Sequence, residues 1–396
     1  MKLLNLLWIG GVFIVFLQLI TGTFCWGQHG HYVTCRIAEG FLSKDALAVV
    51  EKLLPQSAEG ELAGVCSWAD LFAVRSHYYW SRALHFVDTP DFRCNYDYNR
   101  DCHDSSGRKN RCVTGAIYNY TVQLTSACHN PAFESRYNLT EALMFLSHFV
   151  GDVHQPLHCG FLGDLGGNKI QLHWYHRKAN LHHVSILYKD FICRAILELR
   201  DSLQSRPPRD GGIGLPSFPP SADSVLGGTD WDDGDNDDDD DEYSMHDLFP
   251  PYTVHPDIVF ISTTCVLFQV WDTEIIDTAL KRFYDSDLNI MIETVQKNIT
   301  ENWSNYVQSW KECDGNRTVC PNPYASESVS LACKYAYKNA TPGSVLEDDY
   351  FLSRLPVVEK RLAQGGIRLA ATLNRIFESC GLISNSAGRV QEASSA

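Results

Sequence analysis

Basic residues are in short supply in this chain of 396 residues. It has 33 lysines and arginines against 48 aspartates and glutamates, which gives a net charge of −15. This shortage argues against a protein that binds nucleic acid through a basic surface, but not against an enzyme that meets phosphates through metal ions. Alternating apolar and polar patterns are scarce, which argues against a β-rich fold. After the N-terminus, no run is long and apolar enough to span a bilayer.

The acidity is concentrated in one segment, residues 184–269, called the acidic segment below. It has 17 acidic and 5 basic residues, a net charge of −12, so the other residues carry a net −3. Its Pro/Gly-rich stretches and the run DWDDGDNDDDDDE are typical of a solvated, disordered tract. Calcium binding is an alternative, but the ligand spacing of an EF-hand loop is absent.

The N-terminus predicts a secretory signal peptide over residues 1–25. Lys2 precedes an apolar stretch over 3–20, and small residues follow, which is the order of regions in such a leader. We place the cleavage between Cys25 and Trp26. An uncleaved membrane anchor is the alternative, because the stretch approaches the length of a bilayer span.

Cysteines and sequons also indicate export. The 14 cysteines favour an oxidising compartment, and none of them forms the paired C-x-x-C of a zinc knuckle. Cys102 with Cys112, and Cys313 with Cys320, are close enough in sequence to close short loops. N-x-S/T sequons predict glycosylation. They are at Asn119, Asn138, Asn298, Asn302, Asn316 and Asn339.

Helical spacing of apolar residues dominates the rest of the chain. It predicts helices over 43–54, 140–154, 270–284 and 356–379. Thr140 is the expected N-cap of the second helix. One strand is expected near 168–175. We therefore predict a mainly α-helical domain with long disulfide-tied loops.

Histidine and aspartate recur at spacings that suit metal binding. His148 and Asp152 lie four residues apart in the helix predicted over 140–154, so they share one face. His158 follows closely. Other such residues are in the motifs WGQHGH (26–31), SWAD (67–70), LHFVD (84–88), NLHH (180–183) and WD (271–272). Any single histidine is as well explained by core packing, but the set is typical of zinc bound for catalysis.

These motifs occur together in one known family. The chain resembles the plant and fungal zinc-dependent, single-strand-specific nucleases, the type I nucleases of the mung bean nuclease kind. The resemblance covers residues 26–183 and 270–380 and rests on WGxxGH, SWAD, LHFVD, FLSHFVGDVHQPLH, GGNKI, NLHH and WDTEII, in that order. It implies a compact helical fold shared with zinc phospholipase C.

The resemblance also implies three zinc ions and their ligands. The first ion would be held by Asp70, His85, His148 and Asp152. The second would be held by His158, His182 and Asp272. The third would take His31, Asp152 as a bridge, and Trp26 through its α-amino nitrogen and carbonyl oxygen. Because that amino group exists only after cleavage before Trp26, the uncleaved precursor would lack a complete third site.

The implied activity is hydrolysis of phosphodiester bonds in single-stranded DNA and RNA, with 5′-phosphate products, and removal of 3′-phosphates from nucleotides. Asp70 would orient the attacking water. Phe86 would stack on a base and Asp88 would contact it, which favours unstacked strands. Lys169 is a further candidate for substrate binding. We expect a monomer that is secreted or vacuolar, with no membrane anchor after cleavage.

Four disulfides are expected with the resemblance. They are Cys35–Cys66, Cys94–Cys333, Cys102–Cys112 and Cys313–Cys320. Cys128, Cys159 and Cys380 are left without an assigned partner.

The acidic segment is the main departure from the family, which reads NLHHVWDTEII without interruption. Removing 184–269 would join His183 to Val270 and place His182 four residues before Asp272 on one helix. The codons for its two ends can match splice-donor-like and acceptor-like sequences, so we interpret it as a retained in-frame intron. A genuine acidic insertion is the alternative. We expect weakened or absent activity in the long form, because ligand spacing is lost and negative charge repels a polyanion.

The predicted organisation has five parts. They are a signal peptide (1–25), a nuclease domain in two parts (26–183 and 270–380) around the acidic segment (184–269), and a tail (381–396). Two alternatives to an active nuclease remain. One is a zinc phospholipase C of the same fold, although Phe86 and Asp88 favour the nuclease. The other is a catalytically impaired acidic variant that binds zinc poorly.

Overall fold

Helices form most of the structure, a computed structural model that describes residues 26–73, 76–129, 136–182, 268–378 and 380. These residues belong to the unit Met1–Asp190 with Val266–Ala396, and the second unit, Phe191–Cys265, lies outside them. The predictions of a signal peptide and a C-terminal tail fall outside the described residues. So does the predicted disorder of the acidic segment, except at its last two residues, Phe268 and Gln269, which form a strand.

The mainly α-helical fold is confirmed. In chain order the helices are α1 (Gly27–Glu39), α2 (Lys44–Leu53), α3 (Leu62–Val65), α4 (Trp68–Ala73), α5 (Tyr98–Asp101), α6 (Val113–His129), α7 (Leu139–Asp152), α8 (Ile275–Phe283), α9 (Leu288–Thr300), α10 (Ser304–Lys311), α11 (Pro321–Leu331) and α12 (Asp348–Phe377). Within the described ranges, no helix combines the length and the apolar character that a membrane span needs.

A small sheet packs beside the helices. Its strands are β1 (Gln171–Trp174), β2 (Arg177–Asn180), β3 (Phe268–Gln269) and β4 (Val345–Leu346), in the order β3-β2-β1-β4. β1 and β2 form an antiparallel hairpin, whereas β3 pairs in parallel with β2 and β4 with β1. The strand predicted near 168–175 is β1. The sequence pattern misses the other three, because the two-residue strands β3 and β4 are too short to show a period and β2 (RKAN) does not alternate apolar and polar residues.

The helix predicted over 140–154 is α7, and its N-cap differs from the expected one. The Asn138 side chain accepts a hydrogen bond from the Glu141 N–H at 3.1 Å. Thr140 instead donates its hydroxyl to the Leu53 carbonyl, 2.6 Å away at the end of α2. Asparagine and threonine both cap helices well. Thr140 binds α2 with its hydroxyl, so Asn138 is left to cap α7.

The two C-terminal helix predictions need larger corrections. The helix predicted over 270–284 begins as a π turn, Val270–Glu274, and becomes α-helical only at Ile275. The helix predicted over 356–379 is α12, which begins at Asp348. The predicted start at Pro356 would place proline in the first turn of a helix, where it is well tolerated. Here it lies inside α12, where buried neighbours such as Phe351 hold the helix together despite the missing N–H.

A close crossing of α1 and α12 determines where His31 lies. A Cβ atom at Gly366 would be 2.5 Å from Cγ2 of Ile37 and 2.9 Å from the carbonyl oxygen of Thr34. A Cβ atom at Gly365 would be 3.1 Å from the Thr34 methyl group. These two glycines allow the helices to approach more closely than larger residues would. His31 lies one turn before Thr34 on α1, so the crossing also positions it.

Disulfides join segments that are distant in sequence. Among the described residues they are Cys35–Cys66, Cys94–Cys333, Cys102–Cys112, Cys128–Cys380 and Cys313–Cys320. Four of them are the pairs that the resemblance implies. Cys128–Cys380 is additional and ties the end of α6 to the chain after α12, a separation of 252 residues that no sequence pattern reveals. Cys159 is buried and forms no disulfide.

Most of the sequons lie on the surface. Asn119, Asn138, Asn302 and Asn339 are exposed. Asn298 is half-buried, and its Oδ1 accepts a hydrogen bond from Asn302 Nδ2 at 2.6 Å. The side chain of Asn316 lies outside the described residues. Glycosylation of all six stays a prediction.

A buried ionic network fastens the chain after α7 to α11 and α12. Arg361 Nε donates to the carbonyl of His154 at 3.0 Å, and Arg361 and Arg368 both donate to the Glu327 carboxylate. Burial lowers the pKa of Arg361 to about 10. Burial raises the pKa of Glu327, but hydrogen bonds and charges from the two arginines outweigh it and bring it to about 2. Glu327 therefore stays ionised and neutralises the buried guanidinium.

Glu327→Gln should lower the free energy of unfolding at pH 7 by about 1–3 kcal/mol. This loss of unfolding free energy is smaller than the loss expected for a fully buried ion pair, because the Glu327 side chain is 39% exposed. A carboxylate with a depressed folded pKa stabilises the protein above its ordinary pKa of 4.5, and this contribution is lost as the pH falls toward 2.

Chemical denaturation of both proteins at pH 7 and at pH 3 measures the effect. The difference should be full at pH 7 and smaller at pH 3. Glu293→Gln, at an exposed position of α9, is the matched control and should change little. An equal difference at both pH values would contradict the role of the Glu327 charge.

Candidate metal centre

α7 supplies the two residues around which the site is built. His148 and Asp152 are both fully buried, and His148 Nε2 is 3.1 Å from Asp152 Oδ2. His148 Nδ1 lies 2.8 Å from the carbonyl oxygen of Cys66. A carbonyl can only accept, so Nδ1 carries the proton of this bond and Nε2 is the nitrogen available to a metal.

Asp70 and His85 join these two residues in a first metal group. Asp70 lies on α4, and His85 follows the 3-10 turn Ser76–Leu84. Asp70 Oδ1 is 3.4 Å from His148 Nε2, and His85 Nδ1 is 3.1 Å from Asp152 Oδ2. These four residues are the ones that the resemblance assigns to the first zinc ion, and all four are buried.

His31 adjoins the first metal group and shares its carboxylates. Its Nε2 is 3.3 Å from Asp152 Oδ1 and 3.7 Å from Asp70 Oδ2. Its ring stacks on that of His148, with centroids 3.9 Å apart. Gly151 leaves room for this ring, because a Cβ atom there would lie 2.7 Å from His31 Nδ1. The third group implied by the resemblance is therefore contiguous with the first.

His158, His182 and Asp272 form a second metal group. Their ligand atoms all lie within 4.8 Å of one another. His182 Nε2 is 3.5 Å and His158 Nε2 is 4.0 Å from Asp272 Oδ1. His158 Nδ1 donates to the carbonyl of His85 at 2.7 Å, which ties the second group to the first.

The second metal group is assembled although the acidic segment separates two of its ligands. His182 follows β2, and Asp272 lies in the π turn after β3, which pairs in parallel with β2. The N–H of Trp271 donates to the carbonyl of Leu181 at 3.2 Å. The expected loss of helical spacing therefore does not pull this group apart.

The charges of the first metal group favour a cation. Burial raises the pKa of Asp152, but His148 and His158 outweigh it and hold that pKa well below its usual range. The pKa of Asp70 is also lowered, because His148 and other histidines overcome the effect of burial. Burial lowers the pKa of His148, yet Asp152 and Asp70 together raise it well above its ordinary value. Two buried, ionised carboxylates require positive charge beside them.

The donor atoms fit zinc. Both ring nitrogens of His31 and both carboxylate oxygens of Asp152 are buried without a directed hydrogen bond to any described residue. An unsatisfied buried polar atom costs about 1–3 kcal/mol, so converging atoms of this kind need a partner. Imidazole nitrogens and carboxylate oxygens without cysteine sulfur are the donor set of catalytic zinc.

Two residues beside the ligands have roles that spacing does not reveal. His154 Nδ1 donates to the carbonyl of Val150 at 2.7 Å, and its Nε2 lies 3.0 Å from Arg368 Nη1. Both nitrogens are thus engaged away from the metal groups. Gln155 Nε2 donates to Asp272 Oδ1 at 2.6 Å. The sequence offers only its position between the ligands Asp152 and His158 as a sign of this contact.

Phe86 is exposed directly after the ligand His85. The residue is 40% exposed, which leaves it accessible for stacking on a base. Its carbonyl accepts a hydrogen bond from the N–H of Val113 at 3.0 Å, which fixes the backbone here. Core packing, the plain explanation for a phenylalanine, does not account for this exposure.

The other two candidates for substrate binding, Asp88 and Lys169, both interact with the loop that contains Gly163 and Asp164. Burial and the nearby charge of Asp164 raise the pKa of Asp88 to about 7. Lys169 is exposed, and its Nζ donates to the carbonyl of Gly163 at 2.9 Å. Asp88 therefore changes its charge near neutral pH, whereas Lys169 is held on the surface of the loop.

Trp26 begins the described chain and is fully buried immediately before α1. A Cβ atom at Gly27 would lie 2.7 Å from the carbonyl oxygen of Asp272. The first residues of the predicted mature chain therefore pack against the segment that carries a second-group ligand. Metal binding by the α-amino nitrogen of Trp26 stays a prediction.

Comparisons with known proteins agree with this site. The family model described as S1/P1 Nuclease matches residues 26–185 and 257–378. Endonuclease 4 of Arabidopsis thaliana is 48% identical over 366 residues, covering 92% of this chain and 94% of the relative. Endonuclease 5 of the same plant is 46% identical over 374 residues, covering 94% and 97%. Nuclease P1 of Penicillium citrinum is 39% identical over 160 residues, covering 40% and 55%.

The matched residues include every described member of both metal groups, together with His31 and Trp26. The family model spans most of the chain, and the plant relatives are similar over nearly their whole length. The family that the sequence motifs imply is confirmed: the chain belongs to the S1/P1 nuclease family, a family of hydrolases.

Proposed function

We propose that this chain is a zinc-dependent endonuclease of the secretory pathway. It would hydrolyse phosphodiester bonds of single-stranded DNA and RNA to 5′-phosphate products and remove 3′-phosphates from nucleotides. It would act as a monomer, secreted or vacuolar, after removal of residues 1–25. The observation that supports this most is the convergence of eight buried histidines and aspartates from distant elements into adjoining metal groups.

Three zinc ions would be held by these residues. The first metal group and the second metal group would hold one ion each. His31 and Asp152 would hold the third with the α-amino nitrogen and carbonyl oxygen of Trp26, which cleavage after Cys25 exposes. Bound zinc would supply positive charge for the phosphate and lower the pKa of the attacking water.

The protein's own residues would position the substrate. Asp70, whose carboxylate lies among three histidines, would orient the attacking water. Phe86 would stack on a base that a duplex keeps unavailable, which explains a preference for single strands. Asp88 would contact that base, and Lys169 would meet the strand at the loop surface. An exposed ring beside a carboxyl group suits a planar base and favours a nuclease over a phospholipase C.

The acidic segment would be an insertion into a continuous helix. Without residues 184–269, Trp271 would be the fourth residue after Leu181. The hydrogen bond between them, 3.2 Å long, would then be an ordinary bond of an α-helix. This register supports a retained intron or a later insertion at this point. Sequencing of mature transcripts across the junction separates these two origins.

Removal of zinc with EDTA should abolish hydrolysis of single-stranded DNA and lower the melting temperature by roughly 5–15 °C. The reason is that Asp70 and Asp152 would remain buried without their cation. A nuclease assay and a thermal melt before and after zinc is restored measure both effects. EDTA already saturated with zinc is the control. Full activity in the chelated protein would rule out the proposed chemistry.

Phe86→Ala should lower kcat/KM for single-stranded DNA by about 5–150-fold, because stacking on an aromatic ring contributes about 1–3 kcal/mol per base. Phe92→Ala removes another exposed ring, 88% accessible, and is the matched control. Zinc content should be unchanged in both variants. If the two substitutions had equal effects, Phe86 would not be the base platform.

Deletion of residues 184–269 should raise kcat/KM for single-stranded DNA by roughly tenfold or more at low ionic strength, because a tethered charge of −12 repels a polyanion. Salt screens this repulsion, so the two forms should converge as ionic strength rises. A 3′-mononucleotide, which carries little charge, is the control substrate and should respond less. Equal rates at low salt would show that the segment does not impede the substrate.

A further inference from the structure

The second metal group has lost the arrangement that would hold two of its ligands together. In a chain without the acidic segment, His182 and Asp272 would be neighbours on one helix turn, four residues apart. In this chain 89 residues lie between them. The parallel pairing of β2 with β3 and the backbone hydrogen bond from Trp271 to Leu181 keep the two ends in register. They fix the backbone near Asp272 but not the direction of its carboxylate.

Gln155 makes the contact that fixes the carboxylate. Its Nε2 donates to Asp272 Oδ1 at 2.6 Å, and its Oε1 accepts from the N–H of Leu157 at 2.5 Å. The amide has one donor end and one acceptor end, and both are used, so it can lie only one way round. Gln155 is fully buried, which shields both bonds from water.

The same oxygen of Asp272 faces the histidines of its group. Oδ1 lies 3.5 Å from His182 Nε2 and 4.0 Å from His158 Nε2. Gln155 is also the N-cap of the 3-10 turn Pro156–Cys159, which carries His158. Gln155 therefore connects the 3-10 turn that carries His158 to the carboxylate of Asp272, which follows the acidic segment in the sequence.

We propose that Gln155 is a positioning residue that holds Asp272 in the second metal group across the acidic segment, in place of the missing helical connection. The inference rests on the proposed zinc enzyme, because it assigns a role toward the second ion. Residues that hydrogen-bond metal ligands typically change metal affinity by about 10–100-fold when they are removed. In the short form the helix itself would orient the carboxylate, and the same substitution would matter less.

The test compares Gln155→Met in two backgrounds, the full chain and the chain without 184–269. Methionine keeps the length of the side chain and removes both hydrogen bonds. Zinc per chain is measured during titration with a chromophoric chelator, and thermal melting checks that each protein is folded. In the full chain, we expect one of three zinc ions to bind about 10–100-fold more weakly. In the short form, we expect a change below about threefold.

Two further variants assign the effect. Gln364→Met is the matched control, since Gln364 is also buried and accepts a hydrogen bond at 2.7 Å, from Arg361, but touches no ligand. It should leave zinc affinity unchanged. His158→Ala removes a second-group ligand, so adding Gln155→Met to it should cause no additional loss of zinc.

Equal weakening in both backgrounds, or no weakening in the full chain, would overturn the inference. So would an unsubstituted full chain that binds one ion fewer than the short form, because Gln155 would then fail to hold Asp272. A short form that binds no zinc would instead refute the proposed function, and the inference with it.

Discussion

The burial of two carboxylates, Asp70 and Asp152, sets the requirements that the rest of the site meets. An ionised carboxylate removed from water costs several kcal/mol unless positive charge and donors surround it. Helix α7 supplies His148 one turn before Asp152, and other elements bring His31 and His85 to the same place. A divalent cation satisfies nitrogens and oxygens at once. The need of the buried carboxylates for a cation therefore underlies both the stability of this centre and its chemistry.

Tight packing, more than local propensity, brings the ligands within reach of one another. Gly366 allows α1 to approach α12, and Gly151 leaves space for the His31 ring. Arg361 and Arg368 bind the chain just after α7, so the helix that carries two ligands is fastened at its end. These contacts lie outside the metal groups, yet each limits how far a ligand can move.

The metal ligands can be predicted from the sequence, because metal binding requires certain residue types at certain spacings. Many of the contacts that support these ligands cannot be predicted in this way. His148 and Asp152 are predictable from helical periodicity and the motifs around them. Gln155 is not, because its partner lies 117 residues away and only the folded chain brings them together. The Cys128–Cys380 bond is hidden in the same way. Local choices, such as Asn138 over Thr140 as a cap, depend on which neighbour packs nearby.

The distribution of charge separates the site from the surface around it. Outside the acidic segment the chain carries a net −3, so its surface offers a polyanion no general attraction. Attraction would have to come from metal ions held by the buried carboxylates of Asp70, Asp152 and Asp272. Three divalent ions would carry more positive charge than these three carboxylates carry negative charge. The acidic segment begins two residues after His182 in the sequence. Its net charge of −12 would oppose the attraction that bound metal ions supply.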